Sequence, residues 1–204
     1  MRFSFPCLGL AFAVALWPSA LAAQQYQPPP APGYVYALPY AGVPTYAGVG
    51  VSTLSVAGDV YCVSGSASKN IWITKIGLSA TASASSAVTA QVVVRNAADT
   101  GAGNVVNVET YDQNNPAPTV VATSYDVAPA INSGASTGPV RIAKVAVGST
   151  GNTTNIGDVV FVFSPSPLVL RGESQFACIN VGAVGSGASI AVFHEHIETT
   201  IGYP

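Results

Sequence analysis

The stretch SIAVFHEHI, residues 189–197, decides the fold. It is rich in β-branched and aromatic side chains, and its apolar residues alternate, which predicts a strand with one face towards a core. We expect Ile190 and Val192 to share one face of this strand, and Ala191 and Phe193 to share the other. No window of the chain combines a helical period with capping residues, so the sequence predicts strands elsewhere too.

A second stretch, NIWITKIGL at residues 70–78, is apolar on both faces and predicts a strand that is covered on both sides. The expected faces are Trp72, Ile76 and Leu78 on one side and Ile71 and Ile73 on the other. Further strands are predicted between clusters of Gly, Asn, Asp, Ser and Pro. The ten predicted strands are Val60–Ser64, Ile71–Leu78, Val88–Arg95, Val105–Tyr111, Thr119–Tyr125, Arg141–Val147, Val159–Phe163, Leu168–Arg171, Phe176–Val181 and Ser189–Ile197. Short strands at this spacing predict an all-β sandwich or barrel.

The composition narrows the classes of function. Of 204 residues, 8% are charged and 49% are hydrophobic, with 7 basic and 9 acidic groups. A general nucleic-acid binder needs a basic patch to neutralise phosphates, so no nucleic-acid partner is expected. A disordered chain combines low hydrophobicity with high net charge, which is the opposite of this composition. Because few charges keep copies of the protein apart, we expect a homo-oligomer.

Residues 1–22 have the pattern of a secretory signal peptide. Met1-Arg2 is a short positive start, Leu8–Trp17 is an apolar run, and Ala20-Leu21-Ala22 gives the small residues that a signal peptidase recognises. The run is shorter than the about 20 residues that span a membrane, so the mature chain is expected to lack a transmembrane span. An uncleaved N-terminal anchor is the alternative. The protein is therefore predicted to be exported, to the periplasm, the cell surface or the medium.

Residues 23–57 differ in composition from the predicted sandwich domain at 58–204. This segment is rich in proline and tyrosine, and proline, which fixes φ and removes a hydrogen-bond donor, favours an extended polyproline tether over a helix or a central strand. Two interpretations stay open: an inert spacer, or an arm whose tyrosines dock on a neighbouring subunit or a wall component. The tyrosines of the second interpretation are Tyr34, Tyr36, Tyr40 and Tyr46.

Several segments after residue 60 follow one another in an order that is also found in a group of other proteins. They are YCVSGSASK at 61–69, IWITKIGLS at 71–79, VVVRN at 92–96, DTGAG at 99–103, YDQNNPAP at 111–118 and PLVLRG at 167–172. In this order the chain resembles a largely uncharacterised group of β-sandwich proteins from tailed-phage and prophage-like regions. The resemblance implies a jelly-roll-like sandwich with a structural role at a virion surface, and a trimer by analogy with that fold. The signal peptide, the arm and the ending FHEHIE at 193–198 depart from that group, so use at the cell envelope is implied equally.

His194 and His196 are the only two histidines and form a His-x-His pair on the last predicted strand. Alternation points both to one side, an arrangement that can present two imidazoles to zinc or copper. Glu198 is expected to join them only if the strand bulges or ends there. Two ligands do not make a site, and the other interpretation is a pair of solvent-facing polar residues at a strand end. The sequence therefore predicts no metal and no cofactor, with the two histidines kept as candidates.

Cys62 and Cys178 are the two cysteines that remain after removal of the signal peptide. An exported chain enters an oxidising compartment, where such a pair forms a disulfide. The alternative is two separate buried thiols that pack as small hydrophobic groups.

The turn at Tyr111, Asp112 and Asn114 combines an aromatic ring with carboxylate and amide groups, and it is the best candidate for a ligand loop. No nucleophile elbow, cleft with paired carboxylates or phosphate-binding fingerprint is recognisable, so no enzymatic activity is predicted. The predicted function is an exported structural or interaction protein that self-associates at the cell envelope or in a virion-like assembly. The alternative is an adhesive or lectin-like module that binds glycan or cell-wall material.

Overall fold

The computed structural model describes residues 42–52, 57–81, 86–101, 103–125, 138–147, 157–182 and 189–201. These residues contain strands and no helix, which confirms the all-β prediction. None of them therefore forms a helix of the length and apolarity needed to cross a membrane. The strands are β1 (Val43–Ser52), β2 (Gly58–Ser64), β3 (Lys69–Thr81), β4 (Ser86–Arg95), β5 (Asn104–Val106), β6 (Glu109–Thr110), β7 (Ala122–Ser124), β8 (Pro139–Val147), β9 (Gly157–Val162), β10 (Leu168–Arg171), β11 (Phe176–Val181) and β12 (Ser189–Thr200).

The strands form two antiparallel sheets that pack face to face. Sheet A has the order β6-β1-β12-β3, and the far edge of β3 pairs with β10 along its first half and with β9 along its second half. Sheet B has the order β5-β7-β2-β11-β4-β8. Valine, isoleucine and leucine side chains from both sheets fill the space between them. The antiparallel sandwich expected from the strand spacing is thus confirmed.

Strand β1 lies inside the segment that the composition assigns to the tether. Val43–Ser52 pairs along its whole length with β12, so this part of the segment belongs to sheet A. Thr45 and Ala47 point into the core and are buried, whereas Tyr46 lies on the outer face of sheet A. This strand is difficult to predict from the sequence, because the segment is rich in proline and the residues that alternate along the strand are small. The signal peptide and the arm residues Tyr34, Tyr36 and Tyr40 lie outside the described residues.

A β-bulge in β3 changes which of its side chains face the core. Lys75 lies opposite Glu195 and Ile73 lies opposite His196, so no residue of β12 lies opposite Thr74 in the strand register. One extra residue reverses the phase of alternation, which puts Ile73 and Ile76 on the same face. The expectation that Trp72 shares a face with Ile76 and Leu78 is therefore wrong.

Two predicted strands near residues 105–125 are shorter in the structure. The predicted strand Val105–Tyr111 divides into β5, which belongs to sheet B, and β6, which belongs to sheet A. The chain crosses from one sheet to the other between them, so the ladder is interrupted. The predicted strand Thr119–Tyr125 is reduced to β7, because Thr119 and Val120 approach sheet A and bind a side chain of β12.

Candidate functional site

A row of polar side chains crosses the core of the sandwich. His194, His196 and Glu198 alternate along β12 on the face towards sheet B, and Tyr61 of β2 meets them from sheet B; all four are buried. Tyr61 Oη lies 2.7 Å from His194 Nδ1, and His194 Nε2 lies 3.0 Å from His196 Nδ1. His196 Nε2 lies 3.5 Å from Glu198 Oε1. We call Tyr61, His194, His196 and Glu198 the buried row.

The interpretation of the two histidines as solvent-facing residues at a strand end is wrong. Strand β12 continues to Thr200 and pairs with β1 on one side and β3 on the other, so His194 and His196 lie in the middle of sheet A. Glu198 joins them by simple alternation, and the bulge lies in the neighbouring strand instead.

The Glu198 carboxylate holds the segment that leads into β7 of sheet B. Oε1 accepts the backbone N–H of Thr119 at 2.8 Å and of Val120 at 3.3 Å, and Oε2 accepts the Thr119 hydroxyl at 3.0 Å. Burial raises the pKa of Glu198, but the hydrogen bonds from His196 and Thr119 outweigh it and hold this pKa below its ordinary value. Glu198 is therefore an ionised acceptor at neutral pH.

An ionised carboxylate only accepts hydrogen bonds, so it fixes the direction of the row when both imidazoles are neutral. His196 donates from Nε2 to Glu198 and accepts at Nδ1 from His194 Nε2, and His194 in turn accepts at Nδ1 from the Tyr61 hydroxyl. Burial, and then the neighbouring His196, hold the pKa of His194 well below its ordinary value. Burial also raises the pKa of Tyr61, so this residue stays a donor. Both imidazoles are thus assigned as the Nε2–H tautomer.

The buried row does not fit a metal ion in this arrangement, because its ring nitrogens hydrogen-bond to one another instead of converging on one point. Within the described ranges, a group whose ligand atoms do converge consists of Asp59, Cys62, Asp99 and Cys178, which lie within 4.8 Å of one another. Both sulfurs of that group are consumed in a disulfide. The candidate metal role of His194 and His196 gains no support from the geometry.

The Cys62–Cys178 disulfide is confirmed. The two cysteines face each other across β2 and β11, with Cα atoms 4.1 Å apart, and both are buried. Beside them Arg95 forms a bidentate ion pair with Asp59, with N–O distances of 2.9 and 3.0 Å. A buried disulfide is typical of proteins that fold in an oxidising, exported location.

The outer face of sheet A carries most of the exposed aromatic surface described. Its exposed large side chains are Tyr46 (38%), Tyr111 (59%), Val160 (46%), Val162 (50%) and Phe193 (38%). The rings of Tyr46 and Tyr111 lie 4.7 Å apart, centroid to centroid. We call these five residues the outer patch.

A shallow groove of about 540 Å³ runs across the outer patch. Its floor is made of small residues from neighbouring strands, among them Gly48, Gly50 and Ala191, and its sides include Val160 and Phe193. The Phe193 ring lies over Gly77, where a Cβ atom would collide with it. The glycines of these strands therefore leave room for an aromatic ring and for an apolar groove.

The predicted ligand loop lies at the edge of the outer patch. Asp112 Oδ1 accepts the backbone N–H and the side-chain amide of Asn114, both at 3.0 Å, which forms a tight Asx turn. The Tyr111 N–H bonds to the carbonyl of Pro44 in β1 at 3.2 Å. Tyr111, Asp112 and Asn114 are exposed, so the loop presents an aromatic ring beside polar atoms.

Sequence reasoning missed Tyr61 and the segment at Thr119, and it made Glu198 conditional on a bulge or a strand end that β12 does not have there. Extending the alternation of β12 by two residues finds Glu198, because positions 194, 196 and 198 share one face. Tyr61 carries no local signal, since its partner lies 133 residues away in the chain.

No family model matches the chain, and the searches of curated proteins and of solved structures found no significant similarity.

Proposed function

We propose that this protein is an exported, non-enzymatic interaction module that self-associates through the outer patch, at the cell envelope or in a virion-like assembly. The observation that carries the proposal is the cluster of exposed aromatic and aliphatic side chains on one face of sheet A. Monomeric proteins rarely expose large contiguous apolar patches, and those that exist mark interaction sites. The proposed tether is the segment before Gly42, and the predicted signal peptide supplies the route of export.

The charge of the outer patch favours a second copy of this chain as the partner. Beside the outer patch Lys75 Nζ lies 2.8 Å from Glu195 Oε2, so these two charges cancel, and Asp158 is the charged residue that lines the groove. With only 8% charged residues in the chain, repulsion between copies is weak. A face with exposed apolar side chains and few charges suits contact with an identical face.

Light scattering coupled to size exclusion tests the proposal. We expect the mature protein to elute as a discrete oligomer, a trimer if the jelly-roll analogy holds, and Val160→Lys in the outer patch to reduce it to a single chain. Val105→Lys is the matched control, because Val105 is an exposed valine on an edge strand of sheet B. A monomeric wild type, or equal behaviour of both variants, contradicts the proposal. A variant that lacks residues 23–41 tests whether the arm tyrosines contribute.

Binding of glycan or wall material is the second candidate, favoured by the exposure of Tyr111 beside Asp112 and Asn114. Sugar rings stack on exposed aromatic rings and bond to carboxylate and amide groups at the rim of such a platform. We expect a glycan array to give signals that Tyr111→Ala removes and that Val105→Lys leaves unchanged. Absence of any signal with the wild-type protein contradicts this candidate and leaves self-association.

A further inference from the structure

The buried row connects the two sheets at both of its ends. At one end Tyr61 of sheet B bonds to His194 of sheet A at 2.7 Å. At the other end Glu198 of sheet A binds the backbone of Thr119 and Val120, which leads into β7 of sheet B. Most of the other described side chains between the sheets are apolar. The row is thus a directional polar tie within a core that is otherwise held by non-directional contacts.

A proton on His194 reverses the hydrogen bond at one end of this tie. Nδ1 of His194 is the acceptor for the Tyr61 hydroxyl; once protonated, Nδ1 donates to Tyr61 Oη instead, and the hydroxyl proton loses its acceptor. Among the described residues His194 is the one hydrogen-bond partner of Tyr61, whose side chain is fully buried. A buried donor without an acceptor is costly, so the closed sandwich resists this proton and the opened sandwich accepts it.

His194 has no direct contact with a charged group among the described residues, because the ionised Glu198 of the buried row lies beyond His196. The elements packed against the row direct isoleucine, leucine, threonine and alanine side chains towards it. Burial and the neighbouring His196 both lower the pKa of His194, in agreement with the geometry. The charged groups on those elements lie away from His194: Lys69 at the end of β3, Lys75 and Glu195 on the outer face of sheet A, and Asp59 with Arg95 on the outer face of sheet B.

We infer that the buried row is an acid-released tie between the two sheets, in which His194 is the group that takes up the proton. Between neutral pH and pH 5 the Tyr61–His194 end opens first. The Glu198 end follows at lower pH, when its carboxylate is protonated and no longer holds Thr119. This inference does not depend on the proposed self-association, because the tie lies inside one chain.

Amide hydrogen exchange followed by NMR tests the inference. The amide of Tyr61 reports on the Tyr61–His194 end, the amides of Thr119 and Val120 report on the Glu198 end, and the amides of β4, on the far side of sheet B, are the internal reference. One proton taken up by a group with an ordinary pKa of about 6.5 makes the opened form about 25-fold more abundant at pH 5 than at pH 7. We expect the protection factor of the Tyr61 amide to fall by up to that factor between pH 7 and pH 5, while those of Thr119 and Val120 fall only at lower pH and those of β4 change little.

Two variants isolate the cause. His194→Gln keeps a neutral donor and acceptor between Tyr61 and His196 but cannot titrate, so its reporters should show no such fall. Tyr61→Phe removes the tie at every pH and should lower reporter protection already at pH 7. Three results would overturn the inference: a constant protection factor in the wild type, the same fall in His194→Gln, or an equal fall of the β4 amides. If Tyr61→Phe does not fold, the comparison of the wild type with His194→Gln still tests the inference.

Discussion

Replacing His194 with glutamine should remove most of the acid sensitivity of stability between pH 7 and pH 5. The pKa of His194 is held well below its ordinary value of about 6.5 by burial and by His196. The unfolded chain therefore binds a proton below pH 6.5 that the folded chain does not bind, so stability falls as the pH falls. For one such group the loss approaches ~1.4 kcal/mol per pH unit and amounts to about 2 kcal/mol between pH 7 and pH 5.

Urea unfolding at half-unit steps of pH measures this loss. The wild type and His194→Gln should give curves of stability against pH that diverge by about 2 kcal/mol at pH 5, equivalent to roughly 4–8 °C in melting temperature. Other acidic groups titrate equally in both proteins, so the difference between the curves reports on His194 alone. Parallel curves would refute the reasoning, because they would show that His194 takes up its proton equally well in the folded chain.

Three further predictions concern the framework around the row, each measured as the free energy of unfolding in urea. The double variant Cys62→Ala, Cys178→Ala should lose up to about 5 kcal/mol, since the disulfide spans 116 residues, and a loss below 1 kcal/mol would contradict the chain-entropy account. Arg95→Met leaves the buried Asp59 carboxylate without its counter-charge, with Asn180 still donating to it, and should cost about 3–5 kcal/mol, whereas a neutral result would mean that water enters there. Gly157→Ala directs a Cβ atom onto a backbone carbonyl of β8 and should cost about 1–3 kcal/mol, while Gly50→Ala, with open space around it, should change stability by less than about 0.5 kcal/mol; equal effects would contradict the packing argument.

Local patterns in the sequence were sufficient to predict the positions of most of the strands. β10 and β11 begin and end at the residues that alternation and turn chemistry predict, because each lies between clear Gly, Ser and Pro signals. β1 was missed because its alternation is carried by threonine, alanine and glycine next to prolines. The phase of β3 was wrong beyond Thr74, since a bulge depends on the partner strand and leaves no mark in the strand's own sequence.

The candidate site was only partly accessible from the sequence. The His-x-His pattern correctly placed His194 and His196 on one face, but the pattern is the same for a core face and a solvent face. Burial follows from the position of β12 in the middle of sheet A, which is a tertiary property. The disulfide could be suggested from export and cysteine count, while the choice between a bridge and two thiols needed the facing positions of Cys62 and Cys178.

The place of β1 in sheet A has a consequence for when the protein can fold. Residues 43–52 pair with residues 189–198, so the partner of this early strand is made only after almost all of the intervening chain. Contacts of such large sequence separation carry a high loop-closure cost and slow the folding of a β-protein. In a nascent chain the middle of sheet A therefore cannot close until β12 has been synthesised. Under the export proposed above, this delay would keep the chain unfolded and able to pass through a membrane channel until then.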